Sequence, residues 1–399
     1  PPYYSDALYL PTDFYRLRPE VGTFKEYREF VKAAKRAGFR VWQDLVPHGG
    51  LAKTAAKRGL SPWTLAVEPD GRIRRSEAYD YGSREWRNYM RNVAKYYMEQ
   101  TEIDGFRLDQ CGFSRRNWRN PETFRREDQP HVDRQWLKAE LAKTGGKVPM
   151  PEISRASDDD RQTGPRLTRE IRDVVRSIRP DGALLAEIAS LNVVPSGDAI
   201  FDFHFRRFLL LLERFGGENS AREIALFLQE QKDTAPPGTL FERFLEIHDA
   251  FSVQSTSWVG EGAGQAARAM MFLAQGMPSI LHGASDGRGT LLARLNKVRA
   301  ALPELRRGTV DYLAVDSKPA VFTALHTMPG AETVAAVSFL PTARNVRLTL
   351  PASTAFRPDT EVELYENMEG RSIARGKISK LRQLSCRLEP YGIAVFSFR

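Results

Sequence analysis

"IDGFRLDQCGF", residues 103 to 113, places an arginine and an aspartate on the same face of one predicted strand. Its apolar start alternates as a β-strand does, and successive side chains of a strand point to opposite faces. Phe106 and Leu108 should face the covering helices, while Arg107 and Asp109 point the other way together. A guanidinium beside a carboxylate favours the ionised form, so we expect a lowered Asp109 pKa. A plain ion pair would have the same geometry, and that alternative stays open.

The sequence around this strand has the pattern of βα units. From Thr23 to about residue 305, short apolar runs alternate with longer segments of helical period. This order is typical of helices packed around a parallel sheet. Thr23 and Ser83 are predicted to begin two of the helices, and Ser220 with Glu223 forms a capping-box pattern at a third start.

The last part of the chain has a different period. From about Asp311, apolar residues alternate or run between turn residues, as in "TVAAVSFL" and "GIAVFSF". This pattern predicts an antiparallel β domain with the even strand spacing of a sandwich. We therefore divide the chain into an α/β domain, 1–310, and a β-sandwich domain, 311–399.

Composition narrows the class of protein. The 399 residues are 42% hydrophobic, enough for a large core, and include no long uninterrupted apolar stretch, so we predict no membrane span. The formal charge of +9 comes from 59 basic and 50 acidic residues that are interspersed, which favours a solvated surface over a nucleic-acid site. Cys111 and Cys386 lie far apart and are interpreted as free thiols.

Four apolar runs end in an acidic residue: Asp44, Asp109, Glu187 and Asp249. In a parallel barrel, catalytic groups gather where the strands end. One such acid could be a helix cap or a solvated loop residue. Four at successive strand ends predict a shared mouth lined by carboxyl groups.

The same four segments resemble a known family. "VWQDLVPH", "DGFRLD", "LLAEI" and "FLEIHD" are similar, in order and spacing, to the four signature regions of the α-amylase superfamily, glycoside hydrolase family 13. The resemblance implies a TIM (β/α)8 barrel with a C-terminal antiparallel β-sandwich domain. We identify about six barrel strands, including a weak one at "AIFDF", whereas a closed barrel has eight. The first two would precede "YYSDALYLP", so we expect either a chain lacking its start or another segment that completes the barrel.

The resemblance also implies an activity, the retaining hydrolysis of α-glucosidic bonds, and assigns roles to the matching residues. The catalytic set is Asp109 as nucleophile, Glu187 as general acid and base, and Asp249 as the residue that favours the distorted sugar ring. The substrate-binding set is Arg107, His248, Asp44 and His48. Retaining hydrolysis needs two carboxyl groups about 5–5.5 Å apart, one ionised and one protonated. No basic residue adjoins Glu187 in "LLAEIA", so we expect its apolar neighbours to keep it protonated.

The first region departs from the family pattern. "DLVPHGG" has His48 at the position of the family asparagine and Gly49 at that of the family histidine. The asparagine often serves a calcium site, so we expect no calcium here, and no other metal or cofactor. His48 could still reach a sugar or be structural. The loop aromatics Trp63 and Trp118 are candidates for stacking on sugar rings or for surface packing.

Alternatives to a hydrolase remain at this stage. Water and a second sugar compete for the same glycosyl-enzyme, so a transglycosylase of the same family is one. A catalytically inactive amylase-like domain that binds carbohydrate or protein is another. We expect an α-glucan or α-glucoside as substrate and neither nucleic acid nor membrane as partner. Linkage, endo or exo action, oligomeric state and compartment stay open.

Overall fold

The structure, a computed structural model, describes residues 2–5, 9–68, 71–73, 76, 78–111, 117, 158–188, 194, 196–248, 259–281, 289–317 and 320–399. The chain divides into two compact units, Pro1–Phe201 and Asp202–Arg399. The domain boundary predicted near residue 310 falls within the second unit and stays a prediction.

The first unit contains a parallel sheet with helices between its strands. Strands β3, β4, β5 and β6 pair in parallel in this order, and β1 pairs with β2 in antiparallel fashion. The strands are β1 (Tyr3–Ser5), β2 (Pro11–Leu17), β3 (Trp42–Leu45), β4 (Gly105–Leu108), β5 (Ala183–Ala186) and β6 (Ala199–Phe201). The helices are α1 (Phe24–Arg36), α2 (Arg84–Thr101) and α3 (Asp158–Ile178).

Two predicted helix starts in this unit are confirmed. Thr23 Oγ1 accepts the N–H of Glu26 at 3.2 Å, and the Glu26 carboxylate accepts the N–H of Thr23 at 2.8 Å, which completes a capping box. Ser83 Oγ accepts the N–H of Trp86 at 3.3 Å at the start of α2. Both hydroxyls satisfy donors that the first turn of a helix leaves unpaired.

The second unit begins with helices and a short parallel strand pair. Strands β7 (Phe241–Arg243) and β8 (Met277–Pro278) pair in parallel. The helices of this unit are α4 (Phe208–Thr234), α5 (Glu261–Leu273), α6 (Gly289–Ala301) and α7 (Glu304–Arg307). No helix in the described part of the chain is long and apolar enough to cross a membrane.

Two local predictions for this unit were wrong. Ser220 does not begin a helix, because α4 runs through it and its hydroxyl donates to Gly216 O at 2.6 Å. The interruption lies at Gly216, whose φ of 69° kinks the helix. The strand predicted to end at Asp249 ends at Arg243, and Asp249 lies outside the described residues.

All six strands predicted for the parallel sheet occur in the structure, including the weak one, β6. Their register keeps the carboxyl ends of β3, β4 and β5 level, since Asp44 pairs with Arg107 and Arg107 with Leu185. The parallel α/β architecture is therefore confirmed. The closed eight-stranded barrel stays a prediction.

The antiparallel C-terminal region is confirmed. A six-stranded sheet has the order β14-β13-β16-β11-β10-β9, and β12 pairs with β15. Side chains of both sheets, such as Val334 of β11 and Leu348 of β12, share one buried core, as in a sandwich. The strands are β9 (Thr309–Asp311), β10 (Val321–Met328), β11 (Ala331–Ser338), β12 (Arg344–Thr349), β13 (Glu361–Glu366), β14 (Arg371–Lys377), β15 (Gln383–Leu388) and β16 (Ile393–Phe398).

Candidate active site

Arg107 is the centre of a buried cluster at the carboxyl ends of β3, β4 and β5. Its Nη1 donates to Asp44 Oδ1 at 2.8 Å and to Asp109 Oδ1 at 2.7 Å. Its Nη2 lies 2.6 Å from Glu187 Oε1. Three of the predicted acids thus meet on one guanidinium. The strand alternation explains this, because Arg107 and Asp109 share a face and the neighbouring strands end at the same level.

Both carboxylate oxygens of Asp109 have donors. In addition to the Arg107 bond on Oδ1, Oδ2 lies 2.8 Å from His48 Nε2. The carboxyl group also shares a hydrogen bond with Glu187. Burial by itself would raise the pKa of Asp109, but the bonds from His48 and Glu187 and the charge of Arg107 together hold that pKa well below its usual value. The direction of this shift favours the ionised form of Asp109, as the sequence predicted.

Glu187 has the opposite protonation. The pKa of Glu187 is raised to about 9, mainly by burial. The charge of Arg107 opposes this shift, whereas a hydrogen bond with Asp109 and the negative charge of Asp109 add to it. The raised pKa favours the protonated form of Glu187 at neutral pH. This direction agrees with the expectation of a protonated Glu187, which stays a prediction. Although no basic residue adjoins Glu187 in sequence, Arg107 touches it in space.

One guanidinium bridges the two carboxyl groups. Arg107 contacts Asp109 through Nη1 at 2.7 Å and Glu187 through Nη2 at 2.6 Å. The separation of about 5–5.5 Å that retaining hydrolysis needs stays a prediction.

Asp44 and His48 lie in this cluster, and each of them bonds to protein groups. Asp44 Oδ1 accepts from Arg107, and Asp44 Oδ2 accepts from the hydroxyl of Tyr9 at 2.7 Å. His48 is 1% exposed and binds Asp109. The sequence predicted that these two residues would bind substrate, and those roles stay predictions.

Two further contributors were missed by sequence reasoning. Tyr9 is half-buried, and its ring lies 5.8 Å from the Arg107 guanidinium, in addition to its bond to Asp44. Gln110 donates its backbone N–H to Glu187 Oε2 at 2.9 Å, with a left-handed φ of 45°. Every residue except proline has a backbone N–H, so the residue type at position 110 did not identify Gln110 as a donor. For Tyr9 the signal was its place in a segment that resembles the family's chain after the second strand.

The remaining predicted residues belong to other parts of the chain. His248 is exposed and follows β7 in the second unit. Asp249 and Trp118 lie outside the described residues, and Trp63 is 49% exposed. Within the described residues, no group of three His, Cys, Asp or Glu side chains is arranged to hold a metal ion. The predictions of no calcium, no other metal and no cofactor stay predictions.

Comparison with other sequences gives matches that include one over a short part of this chain. No protein-family model matches the chain. A 1,4-alpha-glucan branching enzyme of Streptomyces avermitilis is 34% identical over 115 residues, which cover 25% of this chain. The match covers 13% of the branching enzyme's own length. The similarity is therefore confined to a small part of that relative.

Comparison with solved structures covers nearly the whole chain. A noncanonic maltogenic alpha-amylase from Thermotoga neapolitana is similar with a TM-score of 0.68 and 19% identity, over 98% of this chain and 84% of that one. A debranching enzyme from Nostoc punctiforme has a TM-score of 0.66 and 16% identity, over 99% and 84%. A cyclic alpha-maltosyl-(1→6)-maltose hydrolase from Arthrobacter globiformis has a TM-score of 0.65 and 16% identity, over 100% of this chain and 84% of that one. The chain therefore has the fold of the α-amylase-type enzymes, as the four sequence motifs predicted.

Proposed function

We propose that this protein is a retaining glycoside hydrolase that cleaves α-glucosidic bonds through a covalent glycosyl-enzyme on Asp109. The observation that carries the proposal is a buried pair of carboxyl groups on one guanidinium, with the pKa of Asp109 lowered and the pKa of Glu187 raised. Retaining hydrolysis needs one carboxylate as nucleophile and one carboxylic acid as proton donor. The names of the structural relatives refer to α-glucans or their fragments, which supports the substrate class.

In the first half of the reaction, an Asp109 oxygen forms a bond to the anomeric carbon of the sugar. The bond from that carbon to the leaving oxygen breaks, and the proton of Glu187 goes to the leaving oxygen. Arg107 keeps Asp109 ionised before the attack, because its charge favours the carboxylate.

In the second half, Glu187 is a carboxylate and takes a proton from water. The water oxygen bonds to the anomeric carbon, and the electron pair of the sugar–Asp109 bond returns to the Asp109 carboxylate. If a sugar hydroxyl replaces water, the product is a new glycoside instead of a free sugar. The same residues therefore serve hydrolysis and transglycosylation.

Two neighbours hold Glu187 for this reaction. The Gln110 N–H binds Glu187 Oε2 at 2.9 Å, and Arg107 Nη2 lies 2.6 Å from Oε1. The proton of Glu187 is the one that the leaving oxygen of a bound glycoside needs.

Residues outside this cluster complete the proposal. Asp249 is proposed to stabilise the distorted sugar ring, and His248 is proposed to bind the sugar next to the cleaved bond. Asp44 and Tyr9 support Arg107, since Asp44 accepts from both. His48 contacts the nucleophile directly.

The experiment that tests this function is product analysis by NMR. Wild type, Asp109→Asn and Glu187→Gln are each given α-1,4-linked and α-1,6-linked oligosaccharides and 4-nitrophenyl α-glucoside. We expect the wild type alone to release sugar, first as the α-anomer, and the substrates that react to identify the linkage. Early release of the β-anomer would contradict retention. Binding of the sugars without turnover by the wild type would favour the inactive binding domain.

A further inference from the structure

The loop after β3, residues 46–50, is fastened by side chains from outside it. Trp86 Nε1 donates to Pro47 O at 2.9 Å. Arg58 Nη1 donates to Gly49 O at 2.9 Å. Two carbonyl groups of one short loop are thus held by buried or half-buried donors, which leaves its backbone little freedom.

Glycine at position 49 allows the loop to pass directly against aromatic rings. Gly49 has a φ of 77°, and a Cβ built there would lie 2.2 Å from the Tyr79 ring and 2.7 Å from Trp86. These two rings stack on each other with their centroids 3.9 Å apart, so neither can move aside easily. The close approach directs the neighbouring His48 inward, where it is 1% exposed.

Only one of the two ring nitrogens of the buried His48 has a hydrogen-bond partner among the described residues. Nε2 lies 2.8 Å from Asp109 Oδ2. Nδ1 is buried with no hydrogen-bond partner among the described residues. A proton on Nδ1 would be a buried donor without an acceptor, which costs about 1–3 kcal/mol. Nε2 is the ring nitrogen that faces an acceptor, so it carries the proton that is donated to Asp109.

We propose that His48 is a positioning residue for the nucleophile: its Nε2–H holds Asp109 Oδ2 and assists the departure of the Asp109 carboxylate from the glycosyl-enzyme. This inference rests on the proposed function. Because Arg107 holds Oδ1 at 2.7 Å and His48 holds Oδ2, the carboxylate cannot rotate about its bond to Cβ without losing a hydrogen bond. The orientation of the attacking group is thereby fixed before the sugar binds.

The hydrogen bond from His48 affects the two halves of the reaction differently. When Asp109 bonds to the sugar, it loses its negative charge and the bond from Nε2–H weakens. When water displaces Asp109, the electron pair returns to the carboxylate and the same bond strengthens, since bonds to ionised acceptors are the stronger ones. His48 therefore accelerates the second half more than the first.

The first test does not require turnover. In protein with ¹⁵N-labelled histidine, NMR should show His48 as the Nε2–H tautomer, with its proton signal shifted downfield by the charged acceptor. In Asp109→Asn this signal should move upfield or vanish. A His48 ring protonated on Nδ1 instead of Nε2 would overturn the proposal.

The second test separates the two halves of the reaction. His48→Leu removes the donor, whereas His48→Gln can place an amide N–H near the position of Nε2. With α-glucosyl fluoride, we expect His48→Leu to lower kcat about 10–100-fold, to lower KM, and to accumulate the glycosyl-enzyme seen by mass spectrometry. His48→Gln should recover most of kcat. An equal fall in kcat and kcat/KM without accumulation, or a fully active His48→Leu, would refute the role. Absence of turnover by the wild type would refute the proposed function, and the NMR result would then decide whether His48 holds Asp109.

Discussion

Glu187 Oε1 lies 2.6 Å from Arg107 Nη2, yet the pKa of Glu187 is raised to about 9. Burial and the neighbouring Asp109 charge outweigh the attraction of the cation, which Asp44 and Asp109 also share. One guanidinium cannot neutralise three carboxylates in a buried cluster, so one carboxyl group stays neutral. Because three carboxyl groups share one cation, one member of the proposed pair can act as the acid and the other as the nucleophile.

The raised pKa of Glu187 predicts a dependence of stability on pH. Between the ordinary pKa of 4.5 and about 9, the folded protein holds a proton that the unfolded chain releases, so the Glu187 contribution to stability falls as pH rises through this range. Glu187→Gln removes this loss. We expect the variant to gain up to about 4 kcal/mol relative to wild type between pH 5 and pH 8, since each pH unit in this range contributes about 1.4 kcal/mol, and denaturant unfolding measures this gain. Parallel curves for the two proteins would contradict the assignment.

The same pKa predicts the alkaline limb of the pH–rate profile. A general acid must be protonated, so kcat/KM for an α-1,4-linked oligosaccharide, whose leaving sugar oxygen needs a proton, should fall as pH rises through about 9, the pKa of Glu187. α-Glucosyl fluoride provides the control, since fluoride leaves with little need for a proton, and its profile should be flatter on the alkaline side. An alkaline limb near the usual pKa of a glutamate would show that Glu187 is not the acid.

Arg107 is expected to be essential for stability as well as for catalysis. Arg107→Met leaves buried carboxyl groups without their cation and should destabilise the fold by about 3–5 kcal/mol. Arg40→Met is the matched control, because its ion pair with Asp181, at 2.9 Å, is exposed. That change should cost about 0–1 kcal/mol. Urea unfolding of both variants makes the comparison, and similar losses would mean that the Arg107 cluster is not held as described.

Gly49 is expected to set the position of His48. Gly49→Ala puts a methyl group against Tyr79 and Trp86 and also strains a φ of 77°. Gly59→Ala has a similar φ of 69° but nothing within 4 Å, so it isolates the strain alone. We expect about 1–2 kcal/mol of destabilisation for Gly59→Ala, more for Gly49→Ala, and loss of activity only in Gly49→Ala. Thermal unfolding and turnover of the two variants test this, and equal effects would argue against the packing of the loop.

The sequence predicted the members of the cluster better than their contacts. Strand alternation placed Arg107 with Asp109, and the level strand ends brought Asp44 and Glu187 to the same guanidinium. The His48–Asp109 hydrogen bond could not be predicted, because it depends on the conformation of the loop 46–50. Trp86 and Tyr79 fix that conformation through tertiary contacts, which residue types alone do not show. The helix start predicted at Ser220 was wrong because the Ser220 hydroxyl has a different partner. It donates to Gly216 O within the same helix.

The central claim is that Asp109 is the nucleophile, and trapping of the intermediate tests it most directly. Wild type, Asp109→Asn and Glu187→Gln are incubated with 5-fluoro-α-glucosyl fluoride, then digested and analysed by mass spectrometry. We predict that wild type and Glu187→Gln gain one fluoroglucosyl group on the peptide that contains Asp109, and that Asp109→Asn gains none. A label on any other residue, or a label that persists in Asp109→Asn, would contradict the proposed mechanism.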